Sequence, residues 1–425
     1  MNKKTFVIIC AALGSIAGII AIVDIFMVIS YYNWSSKLSH AKEEVGQIAI
    51  DREAEPEEKL QPDFTEDIED DIANENETDT LPMQKSLRVV CWGDSLTEGT
   101  KGGDWSYPKG IKDAAQNSGL DIEVLNYGVY AEESSLICAR SGGNPMYLDS
   151  SVTVPGDSNK EVAMRLKSKM RGDEMLLVFG GAKDLSARSV AFIGDDSINP
   201  CRFTGVDGSI IEGYLRCDPD DGTKYFRRSE SVADDVKISA GEKVSFKAMY
   251  DSKDSDILVI WTGNNDSLNK SNVYDKTIKY INEIILYTYF GPDSDKTIED
   301  AKDKPYLVLN LSQIDQVQNI DDVNAHLAEA YQGHILDIRS FLLCDALEAV
   351  GLNAIEEEDK DKIRNGSFEE AILSGLTDED KENLHKGKMP ASLYAGDGVH
   401  FTPECYKAVG YRIYKELEEK GYLTR

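Results

Sequence analysis

Residues 89 to 96 read Val-Val-Cys-Trp-Gly-Asp-Ser-Leu, an apolar run that ends in a glycine, an aspartate and a serine. The run is too apolar to leave one face in water, which is typical of a strand in a parallel sheet that is covered on both sides. In such sheets ligands bind at the carboxyl ends of the strands. Because Ser95 directly follows the run, the sequence predicts a buried strand with a reactive serine at its end.

The surrounding chain alternates between apolar, strand-like runs and helical patterns. The predicted strands are Arg88–Trp92, Ile122–Tyr127, Ile257–Thr262, Tyr306–Leu311 and Ile335–Ile338. The predicted helices cover residues 106–118, 271–289, 321–332 and a last segment that follows Thr402-Pro403 and continues to Glu419. Proline is favoured in the first turn of a helix, which supports the last of these. The alternation predicts an α/β fold, a three-layer α/β/α sandwich with about five parallel strands.

A second short run, Asp397-Gly-Val-His400, places a carboxylate three residues before an imidazole. A serine hydroxyl is a weak nucleophile near neutral pH and needs a base. Asp397 can orient one ring nitrogen of His400, so that the other nitrogen takes the proton of Ser95. The alternative is a surface Asp-His pair before a helix. The other histidines lack a carboxylate at this short loop spacing: His40, His326, His334 and His385.

Four short blocks of the chain resemble the four sequence blocks of the SGNH, or GDSL, hydrolases, and they occur in the family's order. They are Gly93-Asp94-Ser95-Leu96, Gly128 in Asn126-Tyr127-Gly128-Val129, Gly263-Asn264-Asn265-Asp266, and Asp397-Gly398-Val399-His400. The resemblance covers residues 87–145 and 255–425. It implies the flavodoxin-like SGNH fold and serine ester hydrolysis without a metal or another cofactor.

The resemblance also assigns roles to individual residues. It implies a catalytic triad of Ser95, Asp397 and His400. It implies an oxyanion hole formed by the backbone N–H groups of Ser95 and Gly128 and by the side chain of Asn265. The family pattern selects Asn265 over its neighbour Asn264, which spacing alone does not separate. Asp94 and Asp266 are expected to brace the loops. Ser134 and Ser135 are disfavoured as nucleophiles because they lie at a predicted helix start.

The glycine block departs from the family pattern. Where further glycines are common, this chain continues from Gly128 with Val-Tyr130-Ala-Glu132-Glu133. Larger side chains at this position predict a narrower cleft. The departure bears on the range of substrates and leaves the proposed chemistry unchanged.

The charge and the cysteines limit the classes of partner. The formal net charge is -30, which argues against nucleic acid because a phosphate backbone would be repelled. The seven cysteines form no CxxC pair and have no zinc spacing. Cys201 and Cys217 lie in a loop-rich stretch, where they could form a disulfide outside the cytoplasm or remain free thiols.

The first 86 residues divide into an apolar and an acidic part. Phe6–Ile29 is apolar apart from Asp24 and would span about 36 Å as a helix, so residues 1–32 are predicted to be a transmembrane anchor. Lys3 and Lys4 predict a cytoplasmic N-terminus and an extracellular catalytic domain. Secretion after cleavage of a signal peptide is the alternative. Residues 33–86 are predicted to be a disordered linker, because residues 42–80 hold 16 acidic and 3 basic residues.

The remaining residues, 87–425, are predicted to form the hydrolase domain, interrupted by a β-rich insertion at 146–252. Asp207-Gly208 lies between extended runs and indicates a hairpin. The insertion could roof the active site, bind carbohydrate or have no functional role.

Several functions are compatible with these features. The first is a membrane-anchored, extracytoplasmic serine esterase that removes acetyl or similar small acyl groups from a glycan or a small ester. A lipase or lysophospholipase and an O-acyltransferase are alternatives with the same triad. A surface binding protein that uses the insertion is an alternative of another class.

Overall fold

The protein is represented by a computed structural model that describes residues 87–168, 176–177, 200–217, 224–251, 253–312, 317 and 319–424. The predicted anchor at 1–32 and linker at 33–86 lie outside these residues. Within the described part, no helix is both long and apolar enough to cross a bilayer.

The described residues contain fifteen strands and eleven α-helices. The strands are β1 Leu87–Gly93, β2 Ile122–Gly128, β3 Met146–Leu148, β4 Val152–Val154, β5 Glu161–Met164, β6 Leu166–Ser168, β7 Leu176–Leu177, β8 Pro200–Thr204, β9 Ile210–Cys217, β10 Lys224–Arg228, β11 Val236–Ile238, β12 Ser245–Phe246, β13 Ile257–Trp261, β14 Tyr306–Leu309 and β15 Ile335–Leu336. The α-helices are α1 Ser95–Glu98, α2 Tyr107–Asn117, α3 Ser134–Ser141, α4 Lys247–Asp251, α5 Lys279–Phe290, α6 Ile320–Ala330, α7 Ile338–Cys344, α8 Ala346–Ala349, α9 Glu357–Arg364, α10 Asp378–His385 and α11 Pro403–Glu419. A π-helical turn, Tyr274–Ile278, leads into α5, and three 3₁₀ turns lie at Ile298–Ala301, Phe368–Glu370 and Ala391–Leu393.

The central sheet consists of five parallel strands in the order β15-β14-β13-β1-β2. All five residues of β13 are buried, as expected for a strand that is covered on both faces. The chain moves outward in one direction from β1 to β2 and in the other from β13 to β15. This reversal is a topological switch point, where doubly wound sheets bind ligands beyond the strand ends. The predicted α/β architecture with five parallel strands is confirmed.

Helices cover both faces of this sheet. On one face, Val89 and Cys91 share a core with residues of α2 and α11. On the other face, Val90 and Trp92 share a core with residues of α3, α5 and α6. Successive residues of a strand point to opposite faces, so β1 contributes to both cores. The arrangement has three layers, as predicted.

Two glycines allow α2 and α11 to approach closely. A Cβ atom on Gly410 would lie 2.6 Å from the Cα atom of Gly110. No side chain fits at this crossing. The contact holds the C-terminal helix against the first long helix of the domain, and the loop before α11 contains Asp397 and His400.

The described residues between β2 and β13 form three further sheets. Strands β12-β8-β9-β10-β5 form one of them, β3-β6-β7 a second and β11-β4 a third. Their core includes Phe203 and Phe226 and also Leu136 of α3. The predicted hairpin is confirmed, because Asp207-Gly208 connects β8 to the antiparallel β9 and Gly208 has a φ of 82°.

The possible disulfide between Cys201 and Cys217 is not formed, since Cys201 is a buried free thiol. Cys201 pairs across β8 and β9 with Gly213, and Cys217 lies four residues farther along β9. At about 3.4 Å per residue this separation is about 14 Å, which exceeds the Cα–Cα distance that a disulfide tolerates.

Candidate active site

Ser95 is the first residue of α1 and lies at a tight turn from strand to helix. Asp94 is the N-cap of this helix, and its Oδ1 atom accepts a hydrogen bond of 3.0 Å from the Leu96 N–H. A Cβ atom on Gly93 would lie 1.9 Å from Thr97 Oγ1 and 2.4 Å from the Trp261 carbonyl oxygen. Glycine is therefore required for the turn that holds Ser95 at the carboxyl end of β1.

The structure brings Ser95, His400 and Asp397 together. His400 Nε2 lies 2.9 Å from Ser95 Oγ, and His400 Nδ1 lies 2.7 Å from Asp397 Oδ2. Ser95 and His400 are each 7 % exposed, so the pair is largely shielded from bulk water. With Nδ1–H donated to the carboxylate, Nε2 is left to accept the serine proton.

The loop before α11 fixes the carboxylate of Asp397. Its Oδ1 atom accepts hydrogen bonds of 2.9 Å and 2.8 Å from the backbone N–H groups of Val399 and His400. Partial burial acts to raise the pKa of Asp397, but the hydrogen bonds from His400 and Val399 outweigh it and lower the pKa to about 2. The group is therefore ionised over the whole neutral range.

Gly128 has a different role from the predicted one. Its N–H donates a 2.9 Å hydrogen bond to Asn126 Oδ1, so this N–H is not directed at the oxygen of a substrate. A Cβ atom on Gly128 would lie 2.0 Å from Glu98 N and 2.5 Å from the Thr97 carbonyl carbon. The prediction of an oxyanion donor is corrected: Gly128 allows the end of β2 to pack against the backbone of α1.

The two adjacent asparagines both reach Asp94. The Nδ2 atom of Asn265 lies 3.4 Å from Asp94 Oδ2 and donates a 3.0 Å hydrogen bond to the Glu132 carbonyl oxygen. Asn264 Nδ2 makes a long contact of 3.5 Å with the same Asp94 oxygen. Asn264 is buried and Asn265 is half-buried. Of the two, the more accessible amide is the one that the family pattern selects.

Asp266 is buried and has three hydrogen-bond donors around its carboxylate. Its carboxylate accepts hydrogen bonds from the backbone N–H of Ser134 at 2.8 Å, from the Ser134 hydroxyl and from Thr277 Oγ1. These contacts connect the loop after β13 with the start of α3. The Ser134 hydroxyl is thus occupied by a carboxylate and is not paired with a histidine.

Asp94 lies in an acidic environment directly beside Ser95. Burial raises its pKa from 3.8 to about 7, against the hydrogen bonds from Leu96 and Asn264, and the negative charges of Asp266 and Glu132 add to the increase. Its protonation state therefore changes close to neutral pH.

Two features in and beside the loop between β2 and α3 were not predicted from the sequence. Ala131 has a φ of 58°, a conformation that costs an alanine about 1–2 kcal/mol. Glu132 and Arg140 form a buried ion pair and are 1 % and 4 % exposed. Tyr130, one of the larger side chains that the sequence predicts at the cleft, is 44 % exposed, and its ring centroid is 6.1 Å from that of His400. Only the eight-residue spacing of Glu132 and Arg140 was available as a signal, and such a spacing is not specific.

The other described histidines have structural contacts. His334 stacks on the ring of Tyr306 at 3.9 Å, and its ring nitrogens contact the carbonyl oxygens of Tyr306 and Lys302. His326 Nδ1 contacts a backbone carbonyl within its own helix, and His385 Nε2 contacts a carbonyl of a neighbouring loop. No group of His, Cys, Asp and Glu in the described ranges could hold a metal ion.

The chain was compared with known proteins. A scan against protein-family models finds no model that matches it, and a search of curated proteins finds no significant match.

Proposed function

We propose that the protein is a serine esterase of the SGNH type, with Ser95 as nucleophile, His400 as general base and acid, and Asp397 as the residue that orients the imidazole. The observation that carries this proposal is the continuous hydrogen-bonded chain from Ser95 Oγ through both ring nitrogens of His400 to Asp397. Acyl transfer by a serine requires a nucleophile, a general base and a carboxylate that orients the base, connected in this order.

The reaction uses two half-reactions. Ser95 Oγ attacks the ester carbonyl carbon while its proton moves to His400 Nε2, and the same nitrogen then protonates the leaving alcohol as the ester C–O bond breaks. Water attacks the resulting acyl-serine by the reverse proton route and releases the carboxylic acid. The Ser95 N–H and the Asn265 amide are the proposed oxyanion donors, and the amide becomes one when the substrate oxygen replaces its long 3.4 Å contact with Asp94 Oδ2. Each such donor typically contributes about 3–4 kcal/mol. No metal or other cofactor takes part.

The proposed substrate is a small acyl ester, such as an acetyl group, on an extracellular glycan. Two features support it. The exposed ring of Tyr130 lies beside His400, where a long acyl chain would find little room and a sugar ring could stack on the aromatic face. The predicted anchor and acidic linker would keep the domain at the outer surface of a membrane, with the N-terminus in the cytoplasm.

The enzymatic assignment is tested with p-nitrophenyl acetate and the full chain. Ser95→Ala is expected to lower kcat by at least about 10³-fold, because the nucleophile is removed. Ser340→Ala, the same change at a half-buried serine of α7, is expected to keep wild-type kcat and serves as the matched control. Equal activity of wild type and Ser95→Ala would exclude the proposal.

The same protein separates the alternatives. Release of acetate from a panel of acetylated glycans, absent in Ser95→Ala, would support the proposed substrate. Preference for acyl chains of eight or more carbons would favour a lipase, and acyl transfer to added glycan that exceeds hydrolysis would favour an acyltransferase. Glycan binding by both wild type and Ser95→Ala without any hydrolysis would favour a binding protein.

A further inference from the structure

The loop between β2 and α3 passes along the catalytic residues at several points. The Val129 N–H donates a 3.2 Å hydrogen bond to the carbonyl oxygen of Gly93, two residues before Ser95. The next residue, Tyr130, lies beside His400, and the Glu132 carbonyl oxygen accepts the side-chain amide of Asn265. Ala131 lies between these contacts, so its peptide group borders the site.

The backbone of Ala131 is in an unusual state. Its φ of 58° is in the left-handed region, which an alanine enters only when its surroundings impose it. Across the described part of the chain, no hydrogen bond uses the Ala131 N–H. A strained residue with a free donor is typical of backbone that is held for a ligand.

One guanidinium group contacts the chain on both sides of Ala131, which is the third residue of a turn closed by a 3.4 Å hydrogen bond from the Glu132 N–H to the Val129 carbonyl oxygen. Arg140 Nε donates to both carboxylate oxygens of Glu132, at 3.0 Å and 2.8 Å. Its Nη2 atom also donates to the Tyr127 carbonyl oxygen at 2.8 Å, and the guanidinium lies 5.7 Å from the ring centroid of Trp92. Arg140 therefore connects the end of β2, the residue after Ala131 and strand β1.

A contribution to stability alone does not account for this pair. Two ions that are removed from water lose their hydration, and a well-packed apolar pair of similar size is often as stable or more stable. A planar guanidinium, however, fixes several acceptors in one geometry, which an apolar pair does not do.

We propose that Glu132 and Arg140 are positioning residues that hold the Ala131 N–H towards the oxyanion of the reacting ester, so that Ala131 supplies the backbone donor that Gly128 does not. This inference rests on the proposed esterase function. Ala131 would contact the substrate through its peptide nitrogen, whereas Glu132 and Arg140 act only through the loop.

The test removes both charges at once. A single substitution leaves one buried ion without its partner and can prevent folding, whereas Glu132→Met with Arg140→Met leaves an uncharged core. The double variant is expected to unfold at a temperature close to that of wild type but to lose about 10²-fold in kcat, with KM changed less than about three-fold, as for the loss of one oxyanion donor. Arg140→Lys keeps the positive charge but lacks the planar guanidinium group, and its kcat is expected to fall as well.

A second buried ion pair provides the matched control. Arg88 Nε lies 3.0 Å from Asp256 Oδ1, and the two residues stand at the opposite, amino-terminal ends of β1 and β13. Arg88→Met with Asp256→Asn is expected to leave kcat unchanged. Wild-type kcat in the Glu132→Met/Arg140→Met variant, or an equal loss in the control, would overturn the inference.

A covalent probe separates a failure of the positioning role from a failure of the esterase proposal. Covalent labelling of Ser95 by a fluorophosphonate reports the nucleophile directly, and its phosphonyl oxygen takes the place of the oxyanion. Labelling that is fast in wild type and about 10²-fold slower in the double variant supports both proposals. Equal labelling rates overturn the positioning role and leave the nucleophile intact. Absence of both labelling and hydrolysis in wild type refutes the esterase and with it this inference.

Discussion

The substitution Gly128→Ala distinguishes the two roles considered for Gly128. Alanine keeps the backbone N–H, so a residue that only donates this hydrogen would tolerate the change. In the structure the added Cβ atom would lie 2.0 Å from Glu98 N and 2.5 Å from the Thr97 carbonyl carbon. Ordinary contacts begin at 3.4 Å, so α1 would have to move by about 3.4 − 2.0 = 1.4 Å. Both neighbours are backbone atoms, which no side-chain rotation can displace.

This displacement determines the expected magnitude. Overpacking of a buried contact costs about 1–3 kcal/mol of the free energy of unfolding. Ser95 is the first residue of α1 and would move with it, and a misplacement of about 1 Å can cost about 10²-fold in rate. Gly128→Ala is therefore expected to lower kcat/KM for p-nitrophenyl acetate by about 10²-fold and to reduce the Tm.

The control for this experiment is Gly119→Ala. A Cβ atom on Gly119 meets nothing within 4 Å, and its φ of 75° makes the change costly only through the backbone. It is expected to destabilise the protein by about 1 kcal/mol without a change in kcat/KM. Wild-type kcat/KM in Gly128→Ala would refute the packing argument and return Gly128 to the role of a donor.

Three further substitutions test the site. In Asp397→Asn the amide oxygen can still accept hydrogen bonds from the two loop N–H groups, so the amide nitrogen donates to His400 Nδ1 and the ring proton moves to Nε2. We expect kcat to fall by about 10³–10⁴-fold at an unchanged Tm. Activity within ten-fold of wild type would contradict this tautomer argument. Ser134→Ala removes a hydrogen bond to the buried Asp266, which should lower the free energy of unfolding in urea by about 1.5–3 kcal/mol while kcat is retained. A loss of kcat as large as that expected for Ser95→Ala would contradict the bracing role of Ser134. Burial raises the pKa of Asp94 from 3.8 to about 7, so between pH 4 and pH 7 the folded protein holds a proton that the unfolded chain releases. The free energy of unfolding therefore falls as the pH rises through this range, and it should fall less in Asp94→Asn. Equal pH dependence of the free energy of unfolding in both proteins would refute the raised pKa of Asp94.

The inner strands β1, β13 and β14 of the central sheet were predictable because they are apolar on both faces. Ile257–Trp261 is buried at every position, and a run of this kind has few alternatives in an α/β chain. The position of His400 was predictable as well, since Asp397 is close in sequence and their contact depends on a short loop. The apolar run and the Asp-His spacing are both local signals, which residue type and spacing alone are enough to identify.

The oxyanion side of the site was not predictable in the same way. Gly128 matches a glycine block of the family. Whether its N–H faces a substrate depends on Asn126, because the Asn126 side-chain oxygen accepts a hydrogen bond from this N–H. Ala131 gives no sign of a left-handed backbone, because alanine rarely adopts one. The sheets between β2 and β13 pair strands across long separations, such as β5 with β10, which period and turn signals do not determine.

The contact between Ser95 and His400 has a consequence for biosynthesis. Ser95 and His400 are 305 residues apart in sequence, and they meet through the loop that α11 holds against α2. The contact closes a very long loop, so the entropy of bringing its ends together must be overcome before the triad exists. A chain still emerging from the ribosome has the serine and the sheet's first strand but lacks the histidine. The proposed esterase activity should therefore appear only after His400 has been synthesised, and a stop codon before His400 should leave a protein without turnover.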